Sequence, residues 1–140
     1  MRTFEEFIED GLVNKRAPDL SRSRSLKLGA EESYKIMREY LNKIPLSDTN
    51  ANHVIKNVYD IIMELVRSKM LQAGYNTTGK GAHEAEVSFL ATIGFDDTDV
   101  AFADKLRYYR NGITYYGENF DAQYATKVIK FLEKVRKKLI

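Results

Sequence analysis

The sequence predicts an all-α protein, an up-down bundle of about five helices. Three observations carry that expectation. Apolar residues recur at three- and four-residue spacing along nearly the whole chain, no segment alternates with the period of two that a half-buried strand requires, and no Asn-Gly turn joins two strand-like runs. Short loops between successive helices favour antiparallel neighbours, which gives the up-down order. With 140 residues, 44% hydrophobic and 30% charged, two prolines and eight glycines, the chain suits one globular domain spanning 1–140.

Taken in order, Thr3 is placed to cap a short helix running to residue 14. Glu6 stands at the capping-box position, and Phe4, Phe7, Ile8 and Leu12 lie along one side. The break at 17–20, around Pro18, ends it. A second helix over about 20–43 carries Leu26, Ala30, Tyr34, Met37 and Leu41 and must stop before Pro45, which pushes its predecessor out of the α region. The strongest helix covers 50–73, where Val54, Ile55, Val58, Ile61, Ile62 and Leu65 make a broad stripe suited to the centre of a core. Gly74 is placed to terminate it. A glycine-rich loop then leads to a short helix over 82–93, and helices over 99–116 and 120–138 finish the chain.

Composition removes several function classes. The net charge of +2 is too small to make the whole surface a polyanion binder, so any nucleic-acid affinity must come from a patch such as Arg22, Arg24 and Lys27 or the 134–138 cluster. Without cysteine there are no disulfides, thiol nucleophiles or Cys-based metal centres. Residues 1–20 do not resemble a signal peptide and no apolar run reaches the length of a membrane span, so a soluble, cytoplasmic protein that avoids membranes is expected.

Two local signals fail on chemistry. The loop GYNTTGKG matches most of a phosphate-binding loop, but its eighth position is Gly81 where Ser or Thr would hold magnesium. It also follows a helix instead of a strand. The two histidines, His53 and His83, lack the i,i+3 or i,i+4 partner histidine of a helical metal site. Glu84 and Glu86 offer only nearby oxygens, so neither metal nor cofactor is expected.

The segment KLRYYRNGITYYG (105–117) is different, because it concentrates arginine and tyrosine on one helix. Stepping 100° per residue puts Phe102, Leu106, Tyr109, Ile113 and Tyr116 on one face, the core stripe. Asp104, Tyr108, Asn111 and Tyr115 fall opposite, and Arg110 lies at the edge of the stripe. Tyr109 and Tyr116 are therefore expected to pack, and Tyr108 and Tyr115 to be exposed as a flat surface for a partner or a base. Gly112 inside the helix suggests a close backbone approach; the alternative is that the helix ends near Asn111-Gly112 and leaves ITYYG as a turn.

RNGITYYG resembles the motif of the HEPN family: an arginine, a polar residue that is usually Asn and, after a short spacing, a histidine. The upstream stretch MLQAGYNTTGKGAHEAEVSFL resembles what precedes that motif in small prokaryotic members, and together the two extend the likeness over about 50–138. The resemblance implies a five-helix bundle that dimerises with itself through the Tyr108/Asn111/Tyr115 helix. It also implies RNA cleavage without a metal or nucleotide binding, and partners such as an antitoxin or a nucleotidyltransferase in toxin or defence systems. By position Arg110 matches the arginine, Asn111 the polar residue, and Tyr115 takes the place of the histidine. A tyrosine titrating near 10 is a poor general base beside a histidine near 6.5. The catalytic set implied by the resemblance is therefore Arg110, Asn111 and Tyr115, with His83 as a substitute imidazole from the neighbouring helix. The alternatives are a non-catalytic module that binds nucleotide, RNA or protein, and a purely structural homodimer.

Overall fold

The computed structural model describes residues 1–139. Its elements are α1 (Phe4–Glu9), β1 (Val13–Lys15), α2 (Leu20–Lys43), α3 (Ala51–Ala73), β2 (Tyr75–Thr77), α4 (Ala82–Phe89) continued by a 3₁₀ turn (Leu90–Ile93), α5 (Asp97–Tyr116) and α6 (Ala122–Leu139). The chain is mostly helical, as its periodicity predicts. Among the described residues there are six helices where about five were expected.

Helix α3 is the centre, and α2, α4, α5 and α6 all pack on it. Its buried residues include Val54, Ile55, Val58, Ile61, Ile62 and Val66, spread around most of its circumference, which is what a helix enclosed by neighbours requires. From α6, Val128, Leu132 and Val135 fill the facing side. Burying one Leu or Ile side chain contributes roughly 1.5–3 kcal/mol, so this stripe is the main source of stability.

Polar clasps fix the helices against one another. Between α2 and α3, the Ser23 and Ser68 hydroxyls each donate to the other's backbone carbonyl at 2.7 Å. Both serines are buried, so each bond answers the cost of leaving a hydroxyl unpaired. Between α2 and α6, the Tyr34 hydroxyl donates to Glu133 at 2.6 Å, Arg38 pairs with the same carboxylate at 2.7 Å, and Arg136 stacks 3.6 Å over the Tyr34 ring while bonding Glu31. The α5–α6 loop is tied to the start of α3 by Asn52, which donates to the Glu118 carbonyl at 2.8 Å and accepts from the Phe120 N–H at 2.9 Å.

The structure corrects three expectations. The first helix stops at Glu9 and not at residue 14, although Thr3 does accept from the Glu6 N–H as its cap. Val13–Lys15 then pairs antiparallel with Tyr75–Thr77, so the fold has a two-stranded element where none was expected. Gly74 makes that pairing geometrically feasible. Its φ of +88° closes α3 in the left-handed region, and a Cβ there would stand 2.5 Å from the Arg16 carbonyl oxygen, so only glycine fits on both counts. Finally, the helix over 82–93 tightens to 3₁₀ geometry for its last turn before Gly94.

Candidate functional site

Helix α5 continues unbroken to Tyr116, which excludes the early end near Gly112. Asp96 caps it by accepting from the Asp99 N–H at 2.8 Å, with Asp97 and Asp99 in the first turn where the helix dipole favours negative charge. Leu106 is fully buried, Phe102 and Ile113 pack at the edge of the core, and Tyr109 is half-buried. Tyr109 meets Phe120 and Tyr124 of the following segment at ring-centroid distances of 4.8 and 5.4 Å. Tyr116 departs from this stripe and is 80% exposed, because the last turn of α5 runs past the body of the protein and residues 114–119 are all exposed. Tyr108 and Tyr115 are exposed as predicted.

The close approach to Gly112 is made by the protein itself. A Cβ at Gly112 would stand 2.8 Å from Cδ of Glu118, whose backbone N–H returns to the Gly112 carbonyl at 3.2 Å.

Arg110 of α5 points toward a buried phenol. Tyr59 on α3 is 4% exposed, and the guanidinium of Arg110 lies 5.8 Å from its ring centroid. Burial lifts the Tyr59 phenol to about 12, Glu86 adds to the shift, and Arg107, Arg110 and Arg67 oppose it. Each arginine has its own carboxylate. Arg67 bonds Glu86 through two N–H groups at 2.5 and 3.3 Å, Arg107 bonds Asp104 at 3.0 Å, and Arg110 stands 3.6 Å from Asp60. Asp60 in turn helps lift the nearby Glu64 carboxyl above its usual range, after the larger effect of burial and against Arg67.

Arg110 is thus directed to the Tyr59–Asp60 side, and its Nε is buried without a hydrogen-bond partner. Asn111 and His83 face another way. Both line a cleft of about 440 Å³ together with Arg107, Lys80, Arg2 and Glu84. No protein-family model, curated protein or solved structure matches the chain.

Of the four residues singled out in the sequence, the cleft unites two, Asn111 and His83. Arg110 is the helix neighbour of Asn111 but lies outside the cleft lining, and Tyr115 is 71% exposed and is not in that lining either. His83 is itself largely open to solvent, and its Nδ1 stands 3.5 Å from the buried Glu86 that also holds Arg67. Arg107 and Lys80, with Arg2, are the cations of that lining. Arg107 sits one helical turn before Arg110 and its Nε is fixed by Asp104, leaving other N–H donors of its fork for a ligand. Arg2 is partly occupied by an ion pair with Asp10 and by the Phe7 ring, 4.6 Å away.

His53 lies elsewhere, exposed at the start of α3, with its ring 5.5 Å from that of Tyr40 and its Nε2 3.2 Å from Asn57. Among the described residues, no group of three His, Asp or Glu side chains is arranged to hold a metal ion, and no helix is long and apolar enough to cross a membrane.

Proposed function

We propose that the protein is a HEPN-like module that binds single-stranded RNA through the cleft between α4 and α5. The observation that carries this reading is the convergence of Arg107, Lys80, His83 and Asn111 on one cleft. Guanidinium and ammonium groups grip phosphate oxygens by charge-assisted hydrogen bonds, and an amide and an imidazole beside them match the edges of bases and the 2′-hydroxyl. The cleft is open, as a site for a flexible strand must be, and its one free-standing carboxylate is Glu84. A second copy of the chain is the partner that best suits the exposed tyrosines Tyr108, Tyr115 and Tyr116, since large amphipathic side chains of this kind are enriched at interfaces. Sedimentation tests that part: Tyr108→Glu with Tyr115→Glu gives monomers if the surface is the interface and leaves a dimer unchanged if it is not.

Fluorescence anisotropy with a labelled single-stranded RNA in EDTA tests the binding. Loss of one charge-assisted phosphate contact costs roughly 1.4 kcal/mol, so Lys80→Ala and Arg107→Ala each weaken binding about tenfold. Unchanged affinity in both variants removes the cleft from the account.

One observation favours cleavage in the same place: His83 supplies an imidazole to the cleft that also holds the cations. In that reading His83 accepts the 2′-hydroxyl proton as the ribose oxygen attacks phosphorus, and the 5′-oxygen leaves and takes a proton from water or from the imidazolium. The products are a 2′,3′-cyclic phosphate and a 5′-hydroxyl. Such products in EDTA, lost in His83→Ala, establish a ribonuclease; intact RNA leaves the binding module.

A further inference from the structure

A second cleft, of about 480 Å³, uses the Arg67–Glu86 pair as part of its wall. The loop over 78–81 borders both clefts: Thr78 lines this one, and Lys80 and Gly81 line the one described above. Its apolar side is made by Leu26, Met70, Leu71 and Tyr75, and its polar side by Asn76, Thr77 and Thr78, with Arg22 and Arg67 as its cations.

The lining is held in place from behind. The Tyr75 ring is fixed edge-on against Phe4 at 5.1 Å and Phe89 at 6.2 Å. Asn14 on β1 donates to the Asn76 side-chain oxygen at 3.3 Å and to the Thr78 hydroxyl at 3.4 Å, so the strand pairing sets the polar edge and leaves the Asn76 amide N–H groups as donors. Glu86, 2% exposed, takes two N–H donors of Arg67 and orients the rest of its fork. Fixed side chains of this kind lose little freedom when a ligand arrives.

An aromatic and aliphatic surface, an amide-and-hydroxyl edge and two guanidiniums form a combination that matches one ligand class, a nucleobase carrying its phosphate. The base lies on the apolar side and is read at its edge by Asn76, Thr77 and Thr78, while Arg22 and Arg67 take the phosphate. We propose that this cleft is a nucleotide subsite, taking one base of the strand whose neighbouring phosphates occupy the Arg107–Lys80 cleft. The inference rests on the RNA-binding reading for the identity of the strand, but the subsite itself is tested separately.

The test uses the full chain and the four nucleoside 5′-monophosphates as probes, followed by amide and methyl NMR shifts. Saturable shifts are expected at Thr77, Thr78, Met70 and Leu71 for at least one base. Arg22→Ala, at an exposed position, and Thr77→Val, which keeps the β-branched shape, each weaken mononucleotide binding about fivefold, whereas Lys80→Ala changes it by less than about twofold. Shifts confined to His83 and Asn111, or affinities indifferent to Arg22 and Thr77, overturn the subsite. If RNA binding depends on Lys80 and Arg107 while mononucleotides ignore Arg22 and Thr77, the subsite fails and the RNA reading stands. If mononucleotides bind with the expected dependence and RNA does not bind, the subsite stands and the RNA reading fails.

Discussion

Replacing Arg67 by methionine tests the ion pair that walls the second cleft and stands beside His83 of the first. Glu86 is almost wholly buried and receives its hydrogen bonds from Arg67 at 2.5 and 3.3 Å, with His83 only at 3.5 Å from the solvent side. Removing one partner of a buried pair strands the other charge, which costs about 3–5 kcal/mol when both are enclosed. The Arg67 side chain is 35% exposed, so water reaches one side of the pair and the loss should be nearer 2–3 kcal/mol. For a domain of this size that corresponds to a fall in Tm of roughly 5–10 °C. Replacing both residues by methionine removes the stranded charge and should return stability to within about 1 kcal/mol of the parent. Urea unfolding at pH 7, followed by helical circular dichroism for the parent, both single variants and the double variant, gives the coupling directly. A single-variant loss below about 0.5 kcal/mol, or a double variant no better than the worse single one, contradicts the reasoning.

Three other predictions concern parts of the frame. Burial alone would raise the Glu133 carboxyl, but hydrogen bonds from Tyr34 and Arg38 and the charges of Arg38 and Arg136 outweigh it and hold it below the usual range. A carboxylate depressed in the folded state stabilises above its unfolded value of about 4.3, and that contribution disappears as pH falls through the folded value. Glu133→Gln should therefore flatten the acid limb of a Tm-against-pH curve below about pH 4.5, and an unaltered limb argues against the clasp. Gly112→Ala should be neutral or stabilising by up to about 1 kcal/mol, because φ is ordinary there and the obstructing Glu118 is the mobile end of an exposed side chain; a clear loss in Tm means that the loop cannot yield. Gly74→Ala should cost more than about 2 kcal/mol, since both the left-handed backbone and the Arg16 carbonyl oppose a Cβ; a Tm close to the parent's contradicts this.

Helices were legible wherever periodicity and caps agreed. The apolar stripe of α3, the Thr3 cap and the Gly74 stop each act within a few residues of one another, and such local chemistry can be read from the order of residues. The β1–β2 pair was not legible. Its three-residue strands are too short to show alternation, and their pairing brings together positions 60 to 64 residues apart. Tyr116 belongs to the apolar stripe by angle, but exposure depends on where α5 outruns its neighbours, which the helical wheel does not contain.

The candidate site was legible in part. Asn111 stood out beside Arg110, and His83 as the one imidazole near the motif, but their common cleft exists because α4 and α5 pack together. Arg107 carried a faint signal in standing one turn before Arg110. Arg67 carried another, as a cation directly after the apolar pair Leu65-Val66; Glu86, its partner, announced itself only as a carboxylate between the apolar residues Ala85 and Val87. Lys80 carried a partial one as the lysine of GYNTTGKG, a pattern set aside because Gly81 replaces Ser or Thr and the loop follows a helix.

The salt dependence of RNA binding bears most directly on the central claim. Each phosphate neutralised on a single strand contributes a slope of about −0.7 in log K against log salt, so loss of the Lys80 and Arg107 contacts in the double alanine variant should make the slope shallower by about 1.4. A variant that binds RNA with the parent's slope and affinity would show that phosphates are held elsewhere and would contradict the assignment of the α4–α5 cleft.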